Sequence, residues 1–456
     1  MEGLHVKKRL NKNFVSLFLA LLLLVSFILF PQAASAADGI DVEAEAAIIV
    51  DANTGKILYG KNIDTPLAIA SMAKMMTEYL LFEAIEDGKI TWEQEVIISN
   101  FISKVANTYA LSNIDLAAGK PYTIKELYEA LAIYSANGAT IAIAEAIAGT
   151  ESEFVKMMNA KAQELGLDNT EFVNSTGLNN ETLTDYNLEF PEGTDPNGVS
   201  VMSARSTAKL AYHLLKDYPE VLETSSVPTK ELRGEVMINW NKMLPGALHE
   251  YSGVDGLKTG TESKIDPATN QKVSFSNFTG TVKKGDSRII TVIMHAKGDD
   301  QRFRETRKMM DYAFNSYSLK EIIPNNYKIE SQKSLAVDKG KEDKVNIQTN
   351  ESISIFVKNG EESAYKPVFT LDKSKLNKEG NLTAPVKQGD VVGTLEVVYE
   401  GDGDLGYLDK NLAPKVAVVT TDDVEKANWF ALTMRAIGGF FSDLWTSITD
   451  TVKGWF

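Results

Sequence analysis

Two residues one helical turn apart, Ser71 and Lys74, are the first candidates for chemistry in this chain. If the stretch from Ala70 to Met76 is helical, the serine hydroxyl and the lysine amine lie on the same face, within reach of each other. A serine hydroxyl is not ionised at neutral pH, but a lysine kept neutral by burial or by a second cation can accept its proton. The pair therefore predicts a nucleophilic serine with a lysine base.

This spacing is weak evidence by itself, because it fixes only two positions and also fits an ordinary solvated helix face. Apolar residues surround the pair at helical spacing, at Met72, Met75 and Tyr79. That pattern predicts a mostly buried helix, in which a lysine needs a specific reason. The hypothesis of a nucleophile therefore depends on partners elsewhere in the chain.

Two further short motifs could supply those partners. Ser135 and Asn137 fall between two predicted helices, where a hydroxyl can relay a proton and an amide can hold a substrate carbonyl. Lys258, Thr259 and Gly260 fall on a predicted strand. There the lysine and threonine can hold a carboxylate, and the glycine leaves the strand edge open to a substrate. Each motif alone also fits an ordinary polar loop or strand end.

The three motifs carry more weight together. Ser-x-x-Lys, Ser-x-Asn and Lys-Thr-Gly occur in this order on a predicted helix, loop and strand, as in penicillin-binding proteins and serine β-lactamases. The chain resembles the low-molecular-mass penicillin-binding proteins of the D-alanyl-D-alanine carboxypeptidase type over nearly all of its length after residue 36. The resemblance implies an α/β (α+β) catalytic domain of the β-lactamase/transpeptidase-like type, with an antiparallel sheet and a helical block. A small all-β domain and a C-terminal amphipathic helix would follow it.

The resemblance also implies roles for matching residues. Ser71 would be the acylated nucleophile, Lys74 its base and Ser135 a proton relay. Substrate binding is implied for five more residues: Asn137, Lys258, Thr259, Gly260 and Thr261. In this scheme the asparagine binds the peptide carbonyl, and the lysine and first threonine bind the terminal carboxylate. The backbone N–H groups of the nucleophile and of the second threonine form the oxyanion hole.

Two departures from the family pattern concern the same motifs. Ala136 stands in the middle of Ser-x-Asn, where these carboxypeptidases usually have glycine. The segment 262–271 is longer and more polar than the family's usual short connection after the Lys-Thr-Gly strand. This second departure affects the strand edge, and with it substrate preference.

The activity implied is removal of the terminal D-alanine from peptidoglycan pentapeptide through an acyl-enzyme, with β-lactam antibiotics as covalent inhibitors. Three alternatives remain at this stage: a D,D-endopeptidase or transpeptidase, a serine β-lactamase, and a non-enzymatic wall-associated binding protein. No cofactor and no metal is expected.

Composition narrows the function further. The chain has no cysteine, which excludes thiol catalysis, disulfides and thiolate metal sites. Its net charge of −15 becomes −18 without residues 1–36, because that segment holds four Lys or Arg and one Glu. Nucleic acid is therefore an unsuitable partner. The chain also lacks the His-Glu-x-x-His and Gly-x-Ser-x-Gly motifs of zinc proteases and nucleophile-elbow hydrolases.

Apolar periodicity and turn residues predict the elements that must position these motifs. A hairpin is predicted at 46–59, around Asn53-Thr54-Gly55. Helices are predicted at the Ser71 stretch and at 124–134, 139–148, 151–165, 203–216 and 300–317. Strands are predicted at 256–261, 273–282 and 288–296. The hairpin and these late strands can share one antiparallel sheet.

Beyond Pro324, short alternating runs and turn signals predict a small all-β domain. Within it Gly401, Gly403 and Gly406 have the spacing of a dinucleotide-binding fingerprint. No helix is predicted after them and two aspartates lie among them, so no cofactor is expected there.

Both ends of the chain suggest export. Basic residues precede an apolar run at 14–30 and an Ala-Ser-Ala site at 34–36, which predicts a secretory signal; a retained membrane span is the alternative. Residues 429–456 have apolar residues three or four apart, which predicts an amphipathic helix. We expect it to anchor the protein peripherally on the outer face of the cytoplasmic membrane, the alternative being a helix docked on the protein itself. The predicted segments are a signal (1–36), a catalytic domain (37–320), a β-rich domain (321–421) and a linker with the anchoring helix (422–456).

Overall fold

The computed structural model describes residues 39–265 and 272–434, together with Ile437 and Thr449. The predicted signal, residues 266–271 of the polar segment and most of the predicted tail helix lie outside these residues. Within the described part of the chain, no helix combines the length and the apolar character needed to span a bilayer.

Over the described ranges, the first unit contains eleven strands and nine α-helices. Its strands are β1 Ala46–Asp51, β2 Ile57–Lys61, β3 Leu67–Ala68, β4 Glu95–Ile97, β5 Pro121–Thr123, β6 Val201–Met202, β7 Thr229–Leu232, β8 Glu235–Ile238, β9 Val254–Ile265, β10 Lys272–Lys284 and β11 Ser287–Lys297. Its helices are α1 Lys74–Glu86, α2 Asn100–Ala106, α3 Ile124–Tyr134, α4 Asn137–Ala148, α5 Glu151–Glu164, α6 Asn180–Asp185, α7 Ala204–Asp217, α8 Val221–Ser225 and α9 Asp299–Ser316. The predicted hairpin, helices and late strands are confirmed to within a few residues.

The central sheet is antiparallel, with strand order β2-β1-β11-β10-β9. Side chains alternate between its two faces. On β1, Ile48 and Val50 join the core shared with the helical block, whereas Ala47 and Ile49 join the core on the opposite face, under α9. The sheet is therefore buried on both faces, and β9 is the edge strand that carries the Lys-Thr-Gly motif. This arrangement confirms the predicted fold class.

The second unit is all-β, as the alternating runs predicted. Its strands are β12 Tyr317–Ile323, β13 Ser334–Asp338, β14 Lys344–Thr349, β15 Ile353–Lys358, β16 Tyr365–Leu371, β17 Leu382–Thr383, β18 Val391–Tyr399 and β19 Lys415–Thr420. Strand β12 pairs with β15, and the others form a sheet of order β16-β18-β19-β14-β13-β17. Because β12 begins at Tyr317 and pairs within the second unit, the boundary drawn at 320/321 passes through this strand.

Residues after Thr421 also pack on the second unit, although the sequence suggested a charged linker. Val424 is buried and exchanges backbone hydrogen bonds with Val386, and the N–H of Ala427 donates to the carbonyl of Lys339. The all-β unit thus continues to residue 427, and the described residues that follow it, from Asn428 to Phe430, are exposed.

The glycine-rich segment of the second unit docks on the first unit. The N–H of Ile57 donates to the Gly406 carbonyl at 2.9 Å, and the N–H of Leu408 donates to the Gly55 carbonyl at 2.8 Å. The Leu408 side chain is buried in the main core of the catalytic unit. The spacing that resembles a nucleotide-binding fingerprint therefore belongs to a loop that joins the two units.

Lys56, in the β1–β2 turn, is the charged centre of this interface. Its side chain is 5% exposed, and its Nζ lies 3.2 Å from Asp404 Oδ1. Three tyrosine rings, of Tyr365, Tyr399 and Tyr407, surround the ammonium at 5.3 to 5.4 Å from their centroids. A buried cation needs such compensation, since an uncompensated one is costly.

We expect Lys56→Met to weaken the contact between the units. Methionine fills similar space but removes the ion pair and the cation–π contacts, so the free energy of unfolding should fall by about 2 kcal/mol or more. Differential scanning calorimetry should show a lower melting temperature than for the control Lys125→Met, which removes an exposed lysine of α3. Equal melting of the two variants would contradict this role.

Candidate active site

Ser71 lies in a tight turn before α1, not inside the helix as the sequence predicted. Residues Ala70–Ala73 form a 3-10 turn, and the α-helix begins at Lys74. Ala70 has φ of 49°, a left-handed conformation that is uncommon for a residue with a side chain. The turn places the half-buried Ser71 next to the start of α1, whose first residue is Lys74.

The Lys74 amine lies within hydrogen-bond distance of three oxygen atoms. It is fully buried, and its Nζ lies 3.0 Å from Ser71 Oγ, 2.8 Å from Asn137 Oδ1 and 2.8 Å from the Thr176 carbonyl oxygen. The structure therefore brings together the first two motifs and adds a carbonyl group that the sequence analysis did not identify.

Burial and the nearby Lys258 cation hold the pKa of Lys74 well below its usual range. A neutral amine has two N–H groups and one lone pair. The two N–H groups match the two oxygens at 2.8 Å, from Asn137 and Thr176, and the lone pair is left facing the Ser71 hydroxyl. The amine is thus oriented to accept the serine proton.

The loop that supplies the Thr176 carbonyl is held from within. Asn174 is fully buried, and its Oδ1 accepts from the N–H groups of Thr176 and Gly177. Ser175 donates its N–H and its hydroxyl to Glu151. A Cβ on Gly177 would come within 1.9 Å of the Ala70 carbonyl oxygen. Asn174 and Gly177 therefore shape the backbone that supports the nucleophile and its base.

Ser135 lies where α3 ends and has φ of 61°. Its hydroxyl is buried and is without a hydrogen-bond partner among the described residues. The carbonyl of Tyr134, one residue earlier, accepts a hydrogen bond from Trp240 Nε1 at 3.0 Å. Asn137, the first residue of α4, also donates from Nδ2 to the Ser112 carbonyl. Its amide therefore holds Lys74 while one N–H group remains for another acceptor.

The Lys-Thr-Gly motif lies on the edge strand β9, next to the serine turn. Lys258 and Thr259 are both largely buried. A Cβ on Gly260 would lie 2.4 Å from the Ile69 carbonyl oxygen and 3.2 Å from Met72 N. The glycine is therefore required for contact with the serine turn, which is a reason that the sequence analysis did not give.

Arg302 of α9 supports this strand and was missed by the sequence analysis. Its side chain is 2% exposed, and Nη1 donates to the Gly260 carbonyl at 3.0 Å and to Thr261 Oγ1 at 3.1 Å. Nη2 pairs with Asp299. Burial lowers the pKa of Arg302 to about 10, against the effect of Asp299. A cation under the strand end adds to the positive potential that Lys258 provides.

The described residues contain no group of three or more His, Cys, Asp or Glu side chains placed to hold a metal ion. The polar groups that converge here are one hydroxyl facing an amine, a second buried hydroxyl, and cations beside a strand edge. Such a set can carry out acyl transfer to a serine and bind an anionic end of the substrate.

Comparison with known proteins agrees with this arrangement. The family model for D-alanyl-D-alanine carboxypeptidase matches residues 31–298, and that for the penicillin-binding protein 5 C-terminal domain matches residues 317–426. D-alanyl-D-alanine carboxypeptidase DacF of Bacillus subtilis is 32% identical over 401 residues, 87% of this chain and 90% of that protein. DacC of Escherichia coli is 28% identical over 435 residues, 94% of each protein.

Solved structures are similar over both units. A peptidoglycan synthesis regulatory factor (PBP3) from Streptococcus pneumoniae is 35% identical and covers 84% of this chain and 100% of its own, with a TM-score of 0.69. Penicillin binding protein 5 from Haemophilus influenzae is 25% identical and covers 86% and 100%, with a TM-score of 0.65.

The loop beneath Lys74 gives a testable expectation. Asn174→Ala removes the acceptor that fixes the Thr176 backbone, so the amine loses orientation. We expect kcat for a D-Ala-D-Ala peptide to fall by about tenfold to a hundredfold with a smaller change in KM. The control Asn197→Ala, in an exposed loop, should behave as wild type. A normal kcat in a folded Asn174→Ala protein would show that the loop does not position the base.

Proposed function

The chain belongs to the D-alanyl-D-alanine carboxypeptidase family of serine-type hydrolases, and on that premise we propose that it removes the terminal D-alanine of peptidoglycan pentapeptide through an acyl-enzyme on Ser71. The observation that carries this proposal is the 3.0 Å approach of the Lys74 amine to the Ser71 hydroxyl, together with the lowered pKa of that amine. In the family's chemistry, β-lactam antibiotics would acylate the same serine.

In the acylation step, the neutral amine of Lys74 takes the proton of Ser71 as Oγ attacks the carbonyl carbon of the penultimate D-alanine. The carbonyl oxygen becomes an oxyanion, and the backbone N–H groups of Ser71 and Thr261 are the donors assigned to it. When the carbon–nitrogen bond breaks, D-alanine leaves and its nitrogen gains a proton. The Ser135 hydroxyl, which has no hydrogen-bond partner among the described residues, is suited to deliver that proton and to regain one from the Lys74 ammonium.

In the deacylation step, Lys74 takes a proton from the water that attacks the ester carbonyl, and it returns this proton to Ser71 Oγ as the ester bond breaks. The second proton of that water is released to solvent when the new carboxyl group ionises. The product is the shortened peptide with a new carboxylate, and the nucleophile and its base return to their starting states. The nucleophile Ser71 and its base Lys74 therefore each act twice, once when the ester forms and once when it breaks.

The terminal carboxylate of the substrate is the feature that Lys258 and Thr259 are suited to bind. A cation and a hydroxyl on a strand edge match a C-terminal acid, with Arg302 reinforcing the positive potential from below. An enzyme organised in this way acts at the free end of a peptide, which favours carboxypeptidase activity.

The assignment of nucleophile and base can be tested by mass spectrometry. Penicillin should add one adduct to the peptide containing Ser71, and Ser71→Ala should abolish it. Lys74→Ala should slow acylation by roughly 10² to 10⁴, the loss expected without general-base assistance. An adduct that persists in Ser71→Ala would refute the nucleophile, and wild-type acylation in Lys74→Ala would remove the base from the mechanism.

We further propose that the protein is exported and attached to the outer face of the cytoplasmic membrane by its C-terminal segment. The support is chemical. Asn428 caps the start of a helical segment at 429–434, on which Trp429, Phe430 and Met434 are largely exposed. Large apolar side chains exposed next to each other mark a surface that binds another apolar phase.

Cell fractionation tests this attachment. Since basic and acidic residues balance in the predicted helix, attachment rests on apolar burial, and high salt should not release the protein. A chain ending at Asn428 keeps the residues up to 427 that the structure shows packed on the second unit; it should be soluble and retain activity. Release of the full-length protein by salt alone would show that charge holds it, and loss of activity on truncation would show that the tail supports the catalytic unit.

A further inference from the structure

We infer that Glu78 is a positioning residue that keeps Lys258 protonated in the empty site, so that this cation is ready to bind the carboxylate of the substrate. The inference deepens the proposed function and rests on its assignment of Lys258. The mechanism described above does not use Glu78, although it is an acidic residue in the centre of the catalytic unit.

Position and burial carry the first part of the argument. Glu78 lies four residues after Lys74 on α1, so both side chains are on the same face of the helix. Glu78 is 2% exposed and Lys258 is 3% exposed. Strand β9 pairs with β10 so that Lys258 lies beside Thr279, whose hydroxyl contacts Met72 Sδ in the turn just before α1. The acid and the cation thus occupy the same buried region between helix and edge strand.

The lack of other partners carries the second part. Within the described ranges, the Glu78 carboxyl forms no hydrogen bond or ion pair, and Lys258 forms no ion pair. Lys258 Nζ makes one hydrogen bond, to the Thr259 carbonyl at 3.3 Å. A buried cation and a buried acid that are both otherwise uncompensated would each be costly alone. Their through-space attraction is the compensation that the site provides.

The direction of the pKa shifts agrees with this arrangement. Burial lowers the pKa of Lys258 to about 8, and Glu78 opposes that shift more than any other group. Burial raises the pKa of Glu78 to about 7, and Lys258 opposes that shift more than any other group. Removing the negative charge of Glu78 should therefore lower the pKa of Lys258 further, and this lysine would lose its proton at a lower pH.

Other charged or titratable groups face this pair from every side. Lys74 from α1 is already held neutral by burial and Lys258, so losing the acid does not add a charge to it. Arg302 from α9 repels Lys258, and Tyr128 from α3 has a buried hydroxyl without a hydrogen-bond partner among the described residues. Near the site Glu151 also acts on Lys74, but its carboxyl is bound by Ser175. Among these groups, Glu78 is the one acid that compensates Lys258.

The test compares wild type with Glu78→Gln, which keeps shape and removes charge. The substrates are a peptide ending in D-Ala-D-Ala and its C-terminal amide. For the acid, kcat/KM of the variant should decline with rising pH at least about one pH unit earlier than in wild type, and the loss should lie mainly in KM. At about pH 6, where Lys258 is protonated in both proteins, the two should agree within roughly threefold. The amide should show no such difference.

Two further variants and one measurement on the wild type complete the design. Glu83→Gln, on the same helix but paired with Lys161, is the control that should keep the wild-type pH profile. Glu78→Asp restores the charge and should restore most of the profile. In wild type, NMR signals of the Glu78 carboxyl carbon and the Lys258 side-chain carbon should titrate in coupled steps. This last measurement needs no variant at position 78.

The outcomes are distinct. A Glu78→Gln profile that superimposes on wild type, or that is lower by the same factor at every pH, would overturn the inference, as would independent titration of the two groups. Equal turnover of acid and amide by wild type would instead show that the proposed carboxylate site is wrong. Penicillin labelling of Ser71 at about pH 6 shows that the glutamine variant is folded and that its nucleophile is intact.

Discussion

The site depends on a buried lysine amine that is held in its neutral form. Lys74 is fully buried among carbonyl-type oxygens and lies near another cation, so its neutral form is favoured over the ammonium. The neutral form has the lone pair that a serine hydroxyl requires, and the two oxygens at 2.8 Å fix where that lone pair points. Some of the residues around Lys74 keep water away from the amine, and others hold in place the backbone that contacts it.

Close approach of backbone segments is the second constraint. The serine turn is packed between the 174–178 loop and strand β9, and glycines at both contacts leave no space for a Cβ. Gly177 meets the Ala70 carbonyl, and Gly260 meets the Ile69 carbonyl. The two glycines thus set the position of Ser71 from the loop on one side and from β9 on the other. Arg302 holds β9 in place through its hydrogen bond to the Gly260 carbonyl. The catalytic geometry is therefore a consequence of backbone packing as well as of side-chain type.

Sequence periodicity predicted most elements, because helices and strands with buried faces repeat their apolar residues at regular intervals. The order of three motifs suggested that Ser71, Lys74, Asn137 and the β9 residues meet, and the structure brings these positions together. What the sequence could not provide were contacts between segments distant in the chain. The Thr176 carbonyl is a backbone group with no sequence signal, and Arg302 looked like any charged residue of an amphipathic helix. Likewise, the glycines at 401–406 had a misleading spacing, since their purpose lies in docking against a turn some 350 residues earlier.

The charge state of Lys74 tests the account most directly. In protein labelled at lysine side chains, the Nζ and Cε signals of Lys74, assigned by comparison with Lys74→Arg, report whether the amine is protonated. The account predicts neutral-amine shifts for Lys74 in a pH range where the exposed lysines remain charged. An ammonium signal for Lys74 that titrates with those of the exposed lysines would contradict the claim that burial makes this residue the base.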